Sequence, residues 1–145
     1  MKVIELMKVH VIRASADATL GDAVDMMDLY QVTALPVVDQ EDRILGIVTE
    51  RDITEWVLPS YVQKSGTPAP APERTAPLNQ RMSTDIISVD EGEEVLHAAE
   101  LMLARSLKRL PVTSNGRLAG TISRIDICQA FLEGQITNAA EQNKA

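Results

Sequence analysis

The chain repeats itself, and that constrains its fold more than any other feature of the sequence. Displaced by 75 positions, Met7 falls on Met82, Ile12 on Ile87, Ala23 on Ala98 and Met27 on Met102. Leu35-Pro36-Val37 falls on Leu110-Pro111-Val112 in the same register. One residue is lost between Asp39 and Arg43, and the displacement becomes 74. Arg43 then meets Arg117, Gly46 meets Gly120, Thr49 meets Ser123, and Asp52-Ile53 meets Asp126-Ile127. A period of this length marks one supersecondary unit present twice. A unit of about 55 residues buries too little surface to be robust alone. The two copies are therefore expected to pack together, which leaves room for a dimer of the pair. Aromatics are 3% of the chain, so the shared core must be aliphatic.

Each copy predicts the order β-α-β-β-α. A short extended stretch comes first, over Val9–Ile12 and over Asp85–Val89. A helix follows, with Leu20, Ala23, Val24 and Met27, and again Val95, Ala98, Ala99 and Met102, at helical spacing. Thr19 with Asp22 three residues on is a cap pair for the first of these helices. A hairpin comes next, Leu35–Val38 with Ile44–Thr49 and Leu110–Thr113 with Leu118–Ser123. The second turn holds Asn115-Gly116, a strong hairpin signal. A second helix begins near Asp52 or Asp126. The expected organisation is a first domain over 3–57, a Pro-rich linker over 58–80, a second domain over 81–133 and a polar tail over 134–145. The linker carries five of the seven prolines, and Pro68 to Pro72 should be extended and exposed.

Composition removes several classes of function. The net charge is −7, which disfavours a nucleic-acid backbone as partner, and no basic run overrides it. The single cysteine, Cys128, has no partner for an intramolecular disulfide, and no Cys/His cluster has metal-ligand spacing. Lys8, His10 and Arg13 interrupt any apolar leader, and no apolar run has membrane-span length. These features give the expectation of a cytoplasmic protein with no membrane partner. No P-loop, nucleophile elbow or Cys/His pair is present, so no catalytic residue and no metal ligand is assigned, and an enzyme is not expected.

Leu35-Pro-Val-Val-Asp39 followed by Gly46-Ile-Val-Thr-Glu-Arg-Asp52-Ile resembles the signature half of a CBS (cystathionine beta-synthase) domain. Leu110-Pro-Val with Gly120-Thr-Ile-Ser-Arg-Ile-Asp126-Ile resembles a second one in register. The resemblance covers residues 3–57 and 78–132 and implies a tandem CBS, or Bateman, module standing alone. The implied fold is α+β, with the two repeats packed sheet to sheet about a pseudo-twofold axis, usually as a homodimer. The implied role is regulation of an unidentified protein target through an adenosine-containing ligand such as AMP, ADP or ATP. The alternative is a dimerisation or partner-docking module with no bound ligand.

In Gly46-x-x-Thr49-x-x-Asp52, a strand end feeds a helix start. Asp there can cap the helix by accepting from a backbone N–H. It can equally accept from two vicinal ribose hydroxyls, since a carboxylate offers two acceptor oxygens and no donor. The resemblance implies the ribose role for Asp52 and Asp126, with Thr49 and Ser123 supplying hydroxyls. It also implies phosphate contact at the basic pair Lys108-Arg109, whose guanidinium fork suits phosphate oxygens. Arg51 and Arg124 are expected to be ordinary surface charge. Repeat one has Thr33-Ala34 where repeat two has Lys108-Arg109. By the family analogy each ligand site lies between the repeats. One would group Thr49, Asp52, Ile86, Ile87 and Arg109. The other would group Ser123, Asp126, Val11 and Ile12, with no matching cation. The Asp52 group is then expected to be the better nucleotide site.

Overall fold

A computed structural model of the chain describes residues 1–58 and 71–136. The elements in order are α1 (Val3–Leu6), β1 (Ala14–Ser15), α2 (Leu20–Tyr30), β2 (Ala34–Val38), β3 (Ile44–Thr49) and α3 (Glu50–Val57). A 3₁₀ turn (Leu78–Gln80) follows, then β4 (Val89–Asp90), α4 (Val95–Ala104), β5 (Arg109–Ser114), β6 (Arg117–Ser123) and α5 (Arg124–Leu132). The α+β class and the duplicated order match the sequence reading. The Pro-rich stretch 59–70 and the tail from residue 137 onward lie outside the described residues.

Two three-stranded sheets form, ordered β1-β2-β3 and β4-β5-β6. In each, the short first strand pairs parallel with the second, and the second and third make the antiparallel hairpin. The register is conserved between copies: Val37 faces Gly46, and Val112 faces Gly120. Both hairpins shift register at the next position, between Val37 and Val38 and between Val112 and Thr113. Asn115 and Gly116 both have positive φ (51° and 78°), the geometry a two-residue I′ turn requires. The other turn is tied by Asp39, whose Oδ1 accepts from Glu41 N at 2.8 Å and Arg43 N at 2.9 Å. That side-chain turn accommodates the extra residue of repeat one.

The leading strands are not where the sequence placed them. They are Ala14–Ser15 and Val89–Asp90, rather than Val9–Ile12 and Asp85–Val89. The reason is a competing use of the backbone just upstream. Lys8 N donates to Thr121 O and Thr121 N to Lys8 O, both at 2.9 Å. Ile47 N donates to Ser83 O at 2.9 Å and Ser83 N to Ile47 O at 2.8 Å. Lys8 and Ser83 are equivalent under the repeat, as are Thr121 and Ile47. Each leading segment therefore bonds to the last strand of the other copy.

The compact units accordingly cut across the repeat. One is Ile12–Ile86; the other joins Met1–Val11 to Ile87–Ala145. The boundaries 3–57 and 81–133 follow the duplication in sequence, while packing exchanges the segments ahead of them. Val3 and Leu78, again equivalent, are both fully buried, Val3 in the core with Val112 and Leu110, Leu78 in the core with Leu35 and Val37. Val3 N donates to Glu93 O at 2.8 Å, and Leu78 N donates to Ala18 O at 3.0 Å. Part of the expected linker is thus core-forming structure. Ile136, expected in a polar tail, is also buried in the core with Val3.

The glycines of the Gly-x-x-Thr/Ser-x-x-Asp motif make room for the exchange. A Cβ on Gly120 would lie 2.6 Å from Lys8 O and 2.9 Å from Met7 Sδ. One on Gly46 would lie 2.7 Å from Met82 Sδ and 2.9 Å from Ser83 O. Met7 and Met82 are equivalent, so the same backbone approach is enforced by the same residue types in both copies.

Candidate functional site

The motif residues sit where a sheet edge turns into a helix. In the Ile12–Ile86 unit, Thr49 is the N-cap of α3, and its Oγ1 accepts from Asp52 N at 3.1 Å. Asp52 Oδ2 accepts in return from Thr49 N at 2.9 Å. This closed capping box satisfies two helix-start donors and fixes the carboxylate's orientation. It occupies one oxygen of Asp52 and leaves the other to accept from an incoming hydroxyl. Among the described residues no cation pairs with Asp52. Arg51 is tied along its own helix to Glu55 at 3.0 Å. Trp56 is buried in this unit, with the Arg81 guanidinium 5.8 Å from its ring centre.

The other unit builds the equivalent junction with a different bond pattern. Ser123 is the buried N-cap of α5, and its Oγ accepts from Asp126 N at 3.2 Å. Here the box is not closed. The Asp126 carboxylate instead faces Lys8, with Nζ at 3.8 Å from Oδ2. Thr33-Ala34 still stand where the other repeat has Lys108-Arg109, but Asp126 has a neighbouring cation, Lys8, that the sequence reading did not include. Lys8 was missed because it lies far from Asp126 in sequence. The repeat held the signal: Lys8 falls on Ser83, and both segments bond the strand that carries the motif glycine.

The structure places Ser123, Asp126, Val11, Arg109, Lys108 and Ile87 in one unit, and Thr49, Asp52, Ile86 and Ile12 in the other. The pairs Val11/Ile12 and Ile86/Ile87 are the points where the chain passes from one unit to the other. All four residues are half-buried. Arg109 stands opposite Ser123 in the β5–β6 register. Lys108 O accepts from Arg124 N at 3.0 Å, which ties the basic pair to the start of α5. Both motif helices begin with acidic side chains in their first turn. Their free N–H groups and positive dipole end also favour an anion. Among the described residues there is no group of three or more His, Cys, Asp or Glu that could hold a metal ion. Among them, too, no helix is long and apolar enough to cross a membrane.

The family model of the CBS domain matches residues 3–59 and again 78–133. Inosine-5'-monophosphate dehydrogenase of Methanocaldococcus jannaschii is 34% identical over 118 residues, 81% of this chain, and the match spans 21% of the length of that enzyme. The structure of CBSX2 in complex with AMP aligns with a TM-score of 0.74 and 24% identity, over 93% of this chain and 98% of that one. The CBS domain pair of protein MJ0100, in complex with 5'-methylthioadenosine and S-adenosyl-L-methionine, aligns with a TM-score of 0.70 and 22% identity, over 94% and 98%. At these identities the two structures bear on the fold.

Proposed function

The chain belongs to the CBS domain family with two copies of the domain, and from that premise we propose that it is a regulatory module binding an adenine nucleotide of the AMP, ADP or ATP class. The observation that carries the reading is the hydroxyl–carboxylate pair, built twice at the same strand-to-helix junction. CBSX2 is bound to AMP, and the MJ0100 pair to two other adenosine compounds. What those ligands share is adenine and ribose, the parts that half-buried Ile and Val side chains and a two-oxygen acceptor suit. Asp52 and Asp126 each accept from ribose hydroxyls, Thr49 and Ser123 add hydroxyl contacts, and Val11, Ile12, Ile86 and Ile87 cover the base. Arg109, with Lys108 beside it, contacts phosphate. Asp52 is the stronger anchor, because its carboxylate is already oriented and no ion pair must be displaced. Regulation follows only where the ligand prefers one arrangement of the module over another, which is then passed to a protein target.

Calorimetric titration tests this. AMP, ADP or ATP should bind, and Asp52→Ala should weaken binding more than Asp126→Ala. The 2'-deoxy analogue should bind at least about tenfold more weakly, since a hydrogen bond to a charged group is lost. Absence of heat with every adenosine compound, or loss of all binding in Asp126→Ala alone, would overturn the reading.

A further inference from the structure

Lys8 is held beside Asp126 by its own backbone. Lys8 N donates to Thr121 O and Thr121 N to Lys8 O, both at 2.9 Å, so the chain under this side chain is pinned to β6. The same strand ends at Ser123, the N-cap of α5, and Asp126 stands in the first turn of that helix. Lys8 Nζ lies 3.8 Å from Asp126 Oδ2, with the lysine side chain 65% exposed and the carboxylate 23%. The fold thus fixes where the lysine starts and leaves the ammonium on a flexible four-carbon stem. Among the described residues Asp126 has no other ion-pair partner, and its open capping box leaves Ser123 N off the carboxylate. In the other copy Ser83 takes the position of Lys8, pinned by the same reciprocal bonds to Ile47. There Asp52 accepts from Thr49 N at 2.9 Å, and among the described residues it meets no cation.

We propose that Lys8 sets the charge of the ligand that the Asp126 junction accepts: an adenosine carrying its own anion is favoured, and an uncharged nucleoside is disfavoured. This role rests on the ribose contact proposed above for Asp126. A ribose diol that takes both carboxylate oxygens displaces the ammonium from Oδ2. A neutral nucleoside offers that ammonium nothing in return, so the lost ion pair opposes binding. A phosphate offers it a new acceptor. The 3.8 Å contact is too long for a hydrogen bond, and a charge-assisted one replaces it. Because the backbone at Lys8 is ordered before the ligand arrives, only the end of the side chain must move. The Asp52 junction has no such swap to make, since Ser83 carries no charge. Charge selectivity through the leading segment therefore belongs to one junction and not to the motif that both share.

The test is calorimetric titration of adenosine and of AMP into the full chain carrying Asp52→Ala, which isolates the Asp126 junction, with and without Lys8→Met. That substitution keeps an unbranched stem and leaves the backbone bonds to Thr121 in place. Adenosine should then bind about threefold more tightly, the size of a mostly exposed ion pair. AMP should bind about tenfold more weakly, through loss of a hydrogen bond between charged groups. Lys8→Arg should keep the AMP preference. With Lys8 present, added salt should tighten adenosine binding by screening the pair, and this effect should vanish in Lys8→Met. A purely structural role for Lys8 would not produce that salt dependence. An AMP-to-adenosine preference unchanged by Lys8→Met, a preference lost in Lys8→Arg, or adenosine binding that salt does not tighten would each overturn the proposal. If the wild type binds AMP but the Asp52→Ala chain takes neither compound, with or without Lys8→Met, the proposal falls and the nucleotide reading stands. If the wild type also gives no heat with any adenosine compound, both fall.

Discussion

The two copies start their helices with different chemistry on the same backbone. In the Ile12–Ile86 unit, α2 and α3 are both closed by capping boxes, Thr19 with Asp22 and Thr49 with Asp52. In the other unit neither box closes. Glu94 precedes α4 without a side-chain cap and meets Lys2 Nζ at 2.8 Å, while Asp126 meets Lys8 at 3.8 Å. Both lysines belong to the exchanged leading segment. Their equivalents in the other segment are Pro77 and Ser83, which carry no charge. Both seams carry an ion pair from the exchanged segment, but at different places: Arg74 meets Asp25 along α2 at 2.7 Å in the Ile12–Ile86 unit and leaves its helix starts to local hydrogen bonds, while in the twin Lys2 and Lys8 meet the helix starts themselves. A duplicated fold can thus hold its packing constant while its electrostatics diverge.

The largest effect that would probe this comparison is on packing common to both seams. Leu78→Ala should cost about 3 kcal/mol, by lost burial and the cavity left behind. Val3→Ala removes less and should cost about 2 kcal/mol in urea denaturation. If either is neutral, that exchanged segment is not part of the core it enters.

The motif glycines come next. Gly120→Ala should cost about 2 kcal/mol, within the usual range for overpacking. Its Cβ meets backbone Lys8 O at 2.6 Å, and backbone cannot move aside without losing the strand pair. Gly46→Ala should cost less, because its nearest neighbour is the flexible Met82 side chain and Ser83 O stands back at 2.9 Å. A reversed order would mean that the two approaches are not equivalent.

The smallest effect concerns charge, and it sharpens the comparison most. Hydrogen bonding with Thr19 holds the Asp22 carboxyl below its ordinary value, and hydrogen bonding with Lys2 does the same for Glu94. Such groups stabilise the fold above the unfolded carboxylate range, and the contribution is lost as pH falls through the lower folded value. Lys2 is shifted upward by Glu94, so its contribution is present below the ordinary lysine range and lost as pH rises through the higher folded value. Asp22→Asn and Glu94→Gln should each flatten the acid limb of a stability–pH curve. Added salt should erase the Glu94 effect and spare that of Asp22, because the exposed ion pair is screened and the local hydrogen bond is not. Equal salt sensitivity would remove the distinction between the seams.

Much of this was legible without coordinates. Asn115-Gly116 marked its turn, Thr19 and Asp22 marked their cap, and Gly46 to Asp52 marked the strand-to-helix junction, because each depends on residues a few positions apart. The leading strands were misplaced for the opposite reason. Val9 to Ile12 reads as a strand on its own, but the backbone at Lys8 is already committed to Thr121. Lys8 as a neighbour of Asp126 was hidden in the same way.

The sequence by itself determined the duplication, the order of elements, the turns and the paired hydroxyl–carboxylate motif, all set by local spacing and repeated residue types. Only the tertiary structure decided which sheet receives each leading segment. Two copies of one fold offer two edges with the same strand order and register, and spacing cannot choose between them. The choice is made by long-range packing, where Val3 and Leu78 each fill the core of the other copy and a glycine without a Cβ lets the backbone in.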